Sequence, residues 1–158
     1  ARLIAQVGTA SGRGAILPDL LHPILRAMRR LYPDQQFTLT YFPKEPMRLP
    51  VDPVQVSELL SNLIDNAAKW AEHAVDITVS QTAAHVMMTI KDDGPGMTAE
   101  QIEQSFAIGT RFAIDKPGAG LGLAIAKELA SAMDMTLELA PRNDHSGLCA
   151  SVIAHLGD

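Results

Sequence analysis

The sequence predicts an α+β fold, a two-layer sandwich in which a five-stranded sheet is covered on one face by three helices. Strand-like runs of alternating polarity are grouped, whereas a doubly wound sheet would alternate them regularly with helices. Apolar residues make up 47% of the 158 residues, which is enough for one sizeable core. We therefore expect one domain over residues 16–158, preceded by a linker or the remnant of another element over residues 1–15.

The first half of the chain predicts two helices and a strand. Leucines and isoleucines at helical spacing indicate an amphipathic helix within residues 17–33, and FTLTYF (37–42) alternates as a strand. Three prolines then predict that nothing regular forms before Val51: Pro43, Pro46 and Pro50. A long helix is expected over residues 52–74, with Asp52 as its N-cap and Pro53 in its first turn.

The second half predicts four more strands and a third long helix. VDITVSQ (75–81) and HVMMTIK (85–91) alternate on either side of a short turn, as in a hairpin. DDGPGM follows, and a polar helical stretch comes after it. GLGLAIAKELASAMDM (120–135) is expected to be a helix, and TLELA (136–140) and GLCASVIAHL (147–156) the last two strands.

Charge and composition exclude several classes of protein. The net charge of −5 argues against a general nucleic-acid-binding surface, and the lone Cys149 excludes a disulfide scaffold. That single thiol fits a reducing compartment and nearly as well a cysteine-poor exported domain. No apolar run approaches the roughly 18 to 20 residues of a membrane span. Because the sequence starts at Ala1 rather than Met, we expect it to be part of a longer protein.

One face of the second helix is polar. Asp65, Glu58, Lys69, Asn62, His73 and Asn66 fall within an arc of about 100°. Such a pattern most often indicates a helix face that is exposed to solvent. Two asparagines one turn apart are unfavourable in a helix, however, and an amide oxygen suits Mg²⁺ as a lysine suits phosphate. Asn62, Asn66 and Lys69 are therefore a candidate metal and phosphate rim.

Two glycine-rich segments follow. Asp92 comes after a strand and before Gly94 and Gly96, where a carboxylate could accept from a donor such as the amine of adenine, although a plain Asp-Gly turn is the alternative. Gly118, Gly120 and Gly122 precede a helix, as in many phosphate sites. The connection between the two segments carries Arg111 and Lys116, which suggests a basic lid.

The order of these motifs carries a family resemblance. NLIDNAAKW, DDGPGM, SFAIGTR and GAGLGLAIA resemble the N, G1, F and G2 boxes of the ATP-binding domain of sensor histidine kinases, within the gyrase, Hsp90, histidine kinase and MutL superfamily. The compact lid is most similar to that of magnesium-responsive sensor kinases of enteric bacteria. The resemblance runs from about residue 16 to the end, and it implies the Bergerat ATP-binding fold with a mixed sheet.

The resemblance also implies cofactors and roles. Mg²⁺ would lie on Asn66, assisted by Asn62, and the adenine amine of ATP would donate to Asp92. Trp70, in place of the usual Tyr or Phe, would line the adenine site, and Lys69, Arg111 and Lys116 would meet the phosphates during catalysis. The full implied set of nucleotide contacts is Asn62, Asn66, Lys69, Trp70, Asp92, Gly94, Gly96, Met97, Arg111, Lys116, Gly118, Ala119, Gly120, Leu121, Gly122 and Leu123.

Three features distinguish this sequence from related proteins. Gyrase-like ATPases have a glutamate where this chain has Asn62, so rapid hydrolysis of ATP is not expected. No histidine here has the context of a phosphoacceptor, and the acceptor is expected on a separate helical hairpin. HSGLCASV also keeps only one glycine, Gly147, of the last glycine box.

The resemblance thus predicts a protein histidine kinase domain of a two-component system. Its partners would be the phosphoacceptor hairpin and, indirectly, a response regulator, with no nucleic acid. It would be the cytoplasmic domain of a parent anchored in the inner membrane outside this segment. Two alternatives stay open: a degenerate ATP- or partner-binding module without kinase activity, and a serine kinase of the anti-sigma type.

Overall fold

The computed structural model describes residues 14–41, 48–105 and 119–155. The order of elements in these ranges is β1 (Ala15–Ile16), α1 (Leu17–Leu31), β2 (Gln36–Tyr41), β3 (Arg48–Leu49), α2 (Pro53–Trp70), β4 (Ala74–Gln81), β5 (His85–Asp92), α3 (Ala99–Ser105), α4 (Ala119–Ala132), β6 (Met135–Pro141) and β7 (Leu148–His155). No helix among these residues is both long and apolar enough to cross a bilayer.

The main sheet is the predicted mixed five-stranded sheet. Its strand order is β2-β4-β5-β7-β6, with β2 and β4 parallel and the other three pairs antiparallel. Alternate residues of each strand point to one buried face, for example Val75, Ile77 and Val79 in β4. Helices α1, α2 and α4 pack on that face and complete a single hydrophobic core. The predicted α+β two-layer sandwich is therefore confirmed.

Helix α2 begins as predicted and ends earlier than predicted. The side chain of Asp52 caps it by accepting from the backbone N–H of Val54 at 2.9 Å, and Pro53 occupies the first turn. The helix stops at Trp70, and Ala71 is already extended with ψ 145°. His73 therefore does not lie on the polar face of the helix, contrary to the periodicity. The chain turns here because the next residues donate hydrogen bonds to Asp93, as described below.

Three further observations concern β3, the stretch after DDGPGM and the end of helix α4. β3 forms in the proline-rich stretch that was expected to be irregular, because Leu49 pairs with Ala15 and is buried. The polar stretch after DDGPGM forms a fourth helix, α3. Helix α4 ends at Ala132, three residues before the predicted end, and Asp134 adopts a left-handed conformation with φ 57° that leads into β6.

The loop between α1 and β2 fastens the C-terminal half of α2. Gln35 Nε2 donates to the carbonyl oxygens of Ala68 at 3.0 Å and Ala71 at 2.7 Å. Tyr32 donates its hydroxyl to Asp65 at 2.7 Å, and burial together with this hydrogen bond and the negative charge of Asp65 raises the pKa of Tyr32 to about 12. These contacts fix the part of α2 that carries the candidate site residues.

We predict that Gln35→Ala lowers the free energy of unfolding by about 1–2 kcal/mol, because the loss of the donor to two carbonyls at the end of α2 outweighs the removal of Oε1, which is buried without a partner in the described residues. The measurement is urea unfolding monitored by circular dichroism. Gln36→Ala is the matched control, since the neighbouring side chain is exposed and should change stability by no more than about 0.5 kcal/mol. Equal effects of the two variants would contradict this role of Gln35.

Candidate functional site

A cavity of about 450 Å³ lies between the C-terminal half of α2, the loop after β5, α3, α4 and the start of β7. Its walls are mainly apolar. It is lined by Asn66, Trp70, Asp92, Pro95, Gly96, Met97, Thr98, Gln101, Leu123 and Leu148. Six of these residues are among the predicted nucleotide contacts, so the fold brings residues from three separate motifs to one place.

Asp92, the last residue of β5, is the only carboxylate among the described residues that line the cavity. Its side chain is buried, with the residue 2% exposed, and Oδ1 accepts from the backbone N–H of Gly94 at 2.9 Å and of Leu148 at 3.3 Å. Within the described ranges Oδ2 accepts no hydrogen bond. Burial raises the pKa of Asp92, an effect that these two N–H groups and the charge of Arg142 oppose.

The neighbouring Asp93 has a different environment. Its carboxylate accepts from the backbone N–H groups of Glu72, His73 and Ala74 at 2.8, 3.0 and 3.1 Å. Burial would raise the pKa of Asp93, but these hydrogen bonds outweigh burial and hold the pKa below its usual value. Asp93 therefore joins the end of β5 to the turn after α2, and it leaves Asp92 as the carboxylate of this pair that lines the cavity.

Two glycines allow the close packing behind Asp92. A Cβ on Gly94 would collide with the carbonyl of Trp70, so the loop after β5 can lie against the end of α2 only with glycine there. A Cβ on Gly147 would collide with the carbonyl of Asp92, and φ at Gly147 is 137°, which few other residues adopt. Both contacts bring backbone against backbone beside Asp92.

Asn66 is the polar residue of α2 that reaches the cavity. It is 6% exposed, and its Oδ1 is buried without a hydrogen-bond partner in the described part of the chain. A buried oxygen without a donor is costly, so its presence favours a ligand that binds there. Asn62 is half-buried and Lys69 is exposed; neither lines the cavity, and Lys69 lies 4.0 Å from Asp65.

The other predicted contacts fall into three groups. Gly94 is buried behind the cavity wall, and Gly122 lies in α4 outside the lining set. Ala119, Gly120 and Leu121 form the first residues of α4. Arg111, Lys116 and Gly118, with the rest of the expected lid, lie outside the described residues.

Four lining residues were not predicted: Pro95, Thr98, Gln101 and Leu148. Thr98 and Gln101 form a capping box at the start of α3. The Thr98 N–H donates to Gln101 Oε1 at 2.9 Å, and the Gln101 N–H donates to Thr98 Oγ1 at 3.1 Å. The T-x-x-Q spacing is visible in the sequence and could have placed both residues. Leu148 has no comparable local signal, because its N–H meets Asp92 only through the pairing of β5 with β7.

A mainly apolar cavity with a buried acceptor is typical of a binding site for a small molecule or cofactor. Residues 51–156 match the family described as "Histidine kinase-, DNA gyrase B-, and HSP90-like ATPase". The chain belongs to this family of ATP-binding domains.

Its relatives are sensor kinases. The chain is 42% identical over 93 residues to sensor protein kinase CarS of Pseudomonas aeruginosa, a match that covers 59% of this chain and 21% of CarS. It is 39% identical over 72 residues to sensor protein PhoQ of Escherichia coli K12, covering 46% of this chain and 15% of PhoQ. The aligned segment thus spans about a fifth or less of the length of these relatives.

Solved structures agree on the fold. A mycobacterial sensor histidine kinase, MprB, superposes with a TM-score of 0.76 at 26% identity, over 89% of this chain and 95% of that one. Full-length ShkA, solved in complex with AMPPNP, superposes with a TM-score of 0.72 at 22% identity, over 92% of this chain and 31% of ShkA. The fold is that of a histidine kinase ATPase domain.

We predict that Asp92→Asn raises the thermal unfolding midpoint of the nucleotide-free chain at pH 7 by a few degrees. Because the pKa of Asp92 is raised in the folded state, ionising it costs stability as pH rises above the ordinary value of 3.8. The gain of the variant should therefore shrink as pH falls towards that value. Differential scanning calorimetry across this range is the test. A variant less stable than wild type at pH 7 would contradict it.

Proposed function

We propose that this chain binds Mg·ATP in the cavity and transfers the γ-phosphoryl group to a histidine on a separate helical-hairpin domain, as part of a two-component sensor kinase. The observation that carries the proposal is the pair of polar groups that the cavity buries: Asp92 with Oδ2 unengaged, and Asn66 with Oδ1 unpartnered in the described part of the chain. The family to which the chain belongs supports ATP as the nucleotide.

Adenine is the base that fits Asp92. An ionised carboxylate can only accept hydrogen bonds, and the amine at C6 of adenine is a donor, whereas guanine and hypoxanthine have a carbonyl there. Trp70, Met97 and Leu123 supply apolar surface for a flat ring in the same cavity. Asp92 would fix the orientation of the ring, and the apolar walls would supply most of the affinity.

The donor set at α2 suits Mg²⁺. The buried Oδ1 of Asn66 is a neutral hard oxygen that lacks a partner in the described ranges, and such an oxygen together with phosphates and waters is a common environment for this ion. Asn62 would assist from one turn earlier. Mg²⁺, when bound, would neutralise charge on the phosphates. Lys69, Arg111 and Lys116, with the backbone N–H groups of 118–123, would hold the phosphate oxygens.

Transfer to a protein side chain is favoured over hydrolysis. A water molecule needs a base to attack phosphate effectively, and Asp92, the only carboxylate among the described lining residues, already accepts two hydrogen bonds. Asn62 stands where related ATPases carry a glutamate. None of the chain's five histidines lines the described cavity, so the acceptor would come from another domain. The parent would be an inner-membrane sensor with this domain on the cytoplasmic side, and a response regulator would receive the phosphoryl group next.

We expect Asn66→Ala to abolish most of the increase in ATP affinity that Mg²⁺ produces, a loss of about tenfold or more, because the variant lacks the proposed metal-binding oxygen. The unfolding midpoint should not fall, since alanine removes a buried unpaired oxygen and favours the helix. Calorimetric titration with ATP, once in Mg²⁺ and once in EDTA, measures the ATP affinity with and without the metal ion. Asn143→Ala, on an exposed loop, is the control. A variant that kept the full effect of Mg²⁺ would refute the metal assignment.

The reaction itself is tested by mixing the chain with radiolabelled Mg·ATP and a purified helical hairpin that carries an acceptor histidine. We expect label on the hairpin that is lost in acid and retained in alkali, and no label when the histidine is replaced by alanine. Acid-stable label would indicate a serine kinase. Tight ATP binding without transfer to the parent's own hairpin would indicate a binding module and contradict the proposal.

A further inference from the structure

The β6–β7 loop, residues 142–147, lies against the backbone of Asp92, and none of its residues is among the described residues that line the cavity. The Arg142 N–H donates to the carbonyl of Gly147 at 3.0 Å, which closes the loop. Ser146 donates its hydroxyl to the carbonyl of Gly94 at 2.7 Å, and Arg142 Nη1 donates to the carbonyl of Asp92 at 3.2 Å. Gly147 packs against the same Asp92 carbonyl. The loop therefore holds the segment that carries the buried acceptor.

Arg142 is fixed in this position. Its side chain is 5% exposed, and its guanidinium forms a two-point contact with Asp144, from Nε to Oδ1 at 3.0 Å and from Nη2 to Oδ2 at 2.8 Å. Asp76 in β4 lies 3.8 Å from Nη2. Hydrogen bonding and the charge of Asp144 raise the pKa of Arg142 further, so the guanidinium stays charged. It is not among the described residues that line the cavity, and its contact with the carbonyl of Asp92 joins it to a residue that does.

Different residues hold the side chain and the main chain of Asp92. Gly94 and Leu148 hold Oδ1 of the side chain, while Arg142 holds the main-chain carbonyl of the same residue. A rotation of the Asp92 backbone would move Oδ2, and a hydrogen bond weakens steeply with angle. The positive charge of Arg142 also opposes the burial that raises the pKa of Asp92. Arg142 therefore contacts the backbone that carries the acceptor, and its charge adds a small contribution to the influences that lower the pKa of Asp92.

We propose that Arg142 is a positioning residue for base recognition: from outside the cavity it holds Asp92 in the orientation that accepts from an amine at C6 of a purine, so that the β6–β7 loop sets the discrimination between ATP and purine nucleotides with a carbonyl at C6. This inference rests on the proposed function, because it requires a purine at Asp92. It assigns specificity to a residue that does not touch the ligand.

The test compares the affinities of ATP and ITP, which differ at C6 of the base, by calorimetric titration in Mg²⁺. For R142Q we expect ATP binding to weaken by about tenfold and ITP binding to change little, so the ratio of the two affinities falls by a similar factor. D144N, which loosens the guanidinium from the solvent side, should lower the ratio in the same direction by a smaller factor. R26Q, the same change at an exposed position on α1, should leave the ratio at the wild-type value.

The ratio of ATP affinity to ITP affinity distinguishes a positioning role of Arg142 from a merely structural one. If R142Q weakened ATP and ITP equally, Arg142 would only stabilise the loop and the inference would be overturned. If R142Q did not fold, an unchanged ratio in D144N would overturn the inference equally. D92N is measured alongside. If the ratio of the ATP and ITP affinities in D92N equalled that of the wild type, the role of Asp92 itself would be refuted. If the preference for ATP disappeared in D92N but persisted in R142Q, the proposed function would stand and Arg142 would have no part in it.

Discussion

The hydrogen bonds from Gly94 and Leu148 to one oxygen of Asp92 are the constraint on which the site depends. They hold a carboxylate that is almost fully buried at the end of a central strand, in a residue that lines the cavity. Burying an ionisable group costs free energy, and backbone donors from two different segments offset part of this cost. The glycines at 94 and 147 follow from the same constraint, because each lets a backbone approach closely beside this carboxylate.

Helix α2 is held to this centre from two sides. Asp93 binds the turn that follows the helix, and Gln35 caps the carbonyls of its last residues. Asn66 therefore has a fixed position relative to Asp92, although the two residues belong to different elements. Preorganisation of this kind matters for phosphoryl transfer, in which a protein contributes mainly by positioning charges around a group that needs little covalent assistance.

Features with a local signal could be predicted from the sequence, and features that depend on distant contacts could not. Asp52 and Pro53 mark the start of α2, and alternating residues mark β4 and β5, because capping and strand periodicity act within a few residues. The end of α2 was placed too late because it is decided by Asp93, about twenty residues away. The N–H of Leu148 and the guanidinium of Arg142 reach Asp92 from 56 and 50 residues away, so no local pattern announces them. The motifs predicted residues that line the cavity. The contacts that hold Asp92 from β7 and from the β6–β7 loop became visible only in the structure.

The strand order has a consequence for the way this domain is made. β7 is the last of the described strands in sequence order, yet it lies inside the sheet between β5 and β6. During synthesis on the ribosome, the segment that completes the sheet emerges last, and the N–H of Leu148 arrives with it. A nascent chain that stops short of this strand has neither a closed sheet nor an anchored Asp92. The proposed nucleotide site is therefore complete only after β7 has paired with β5.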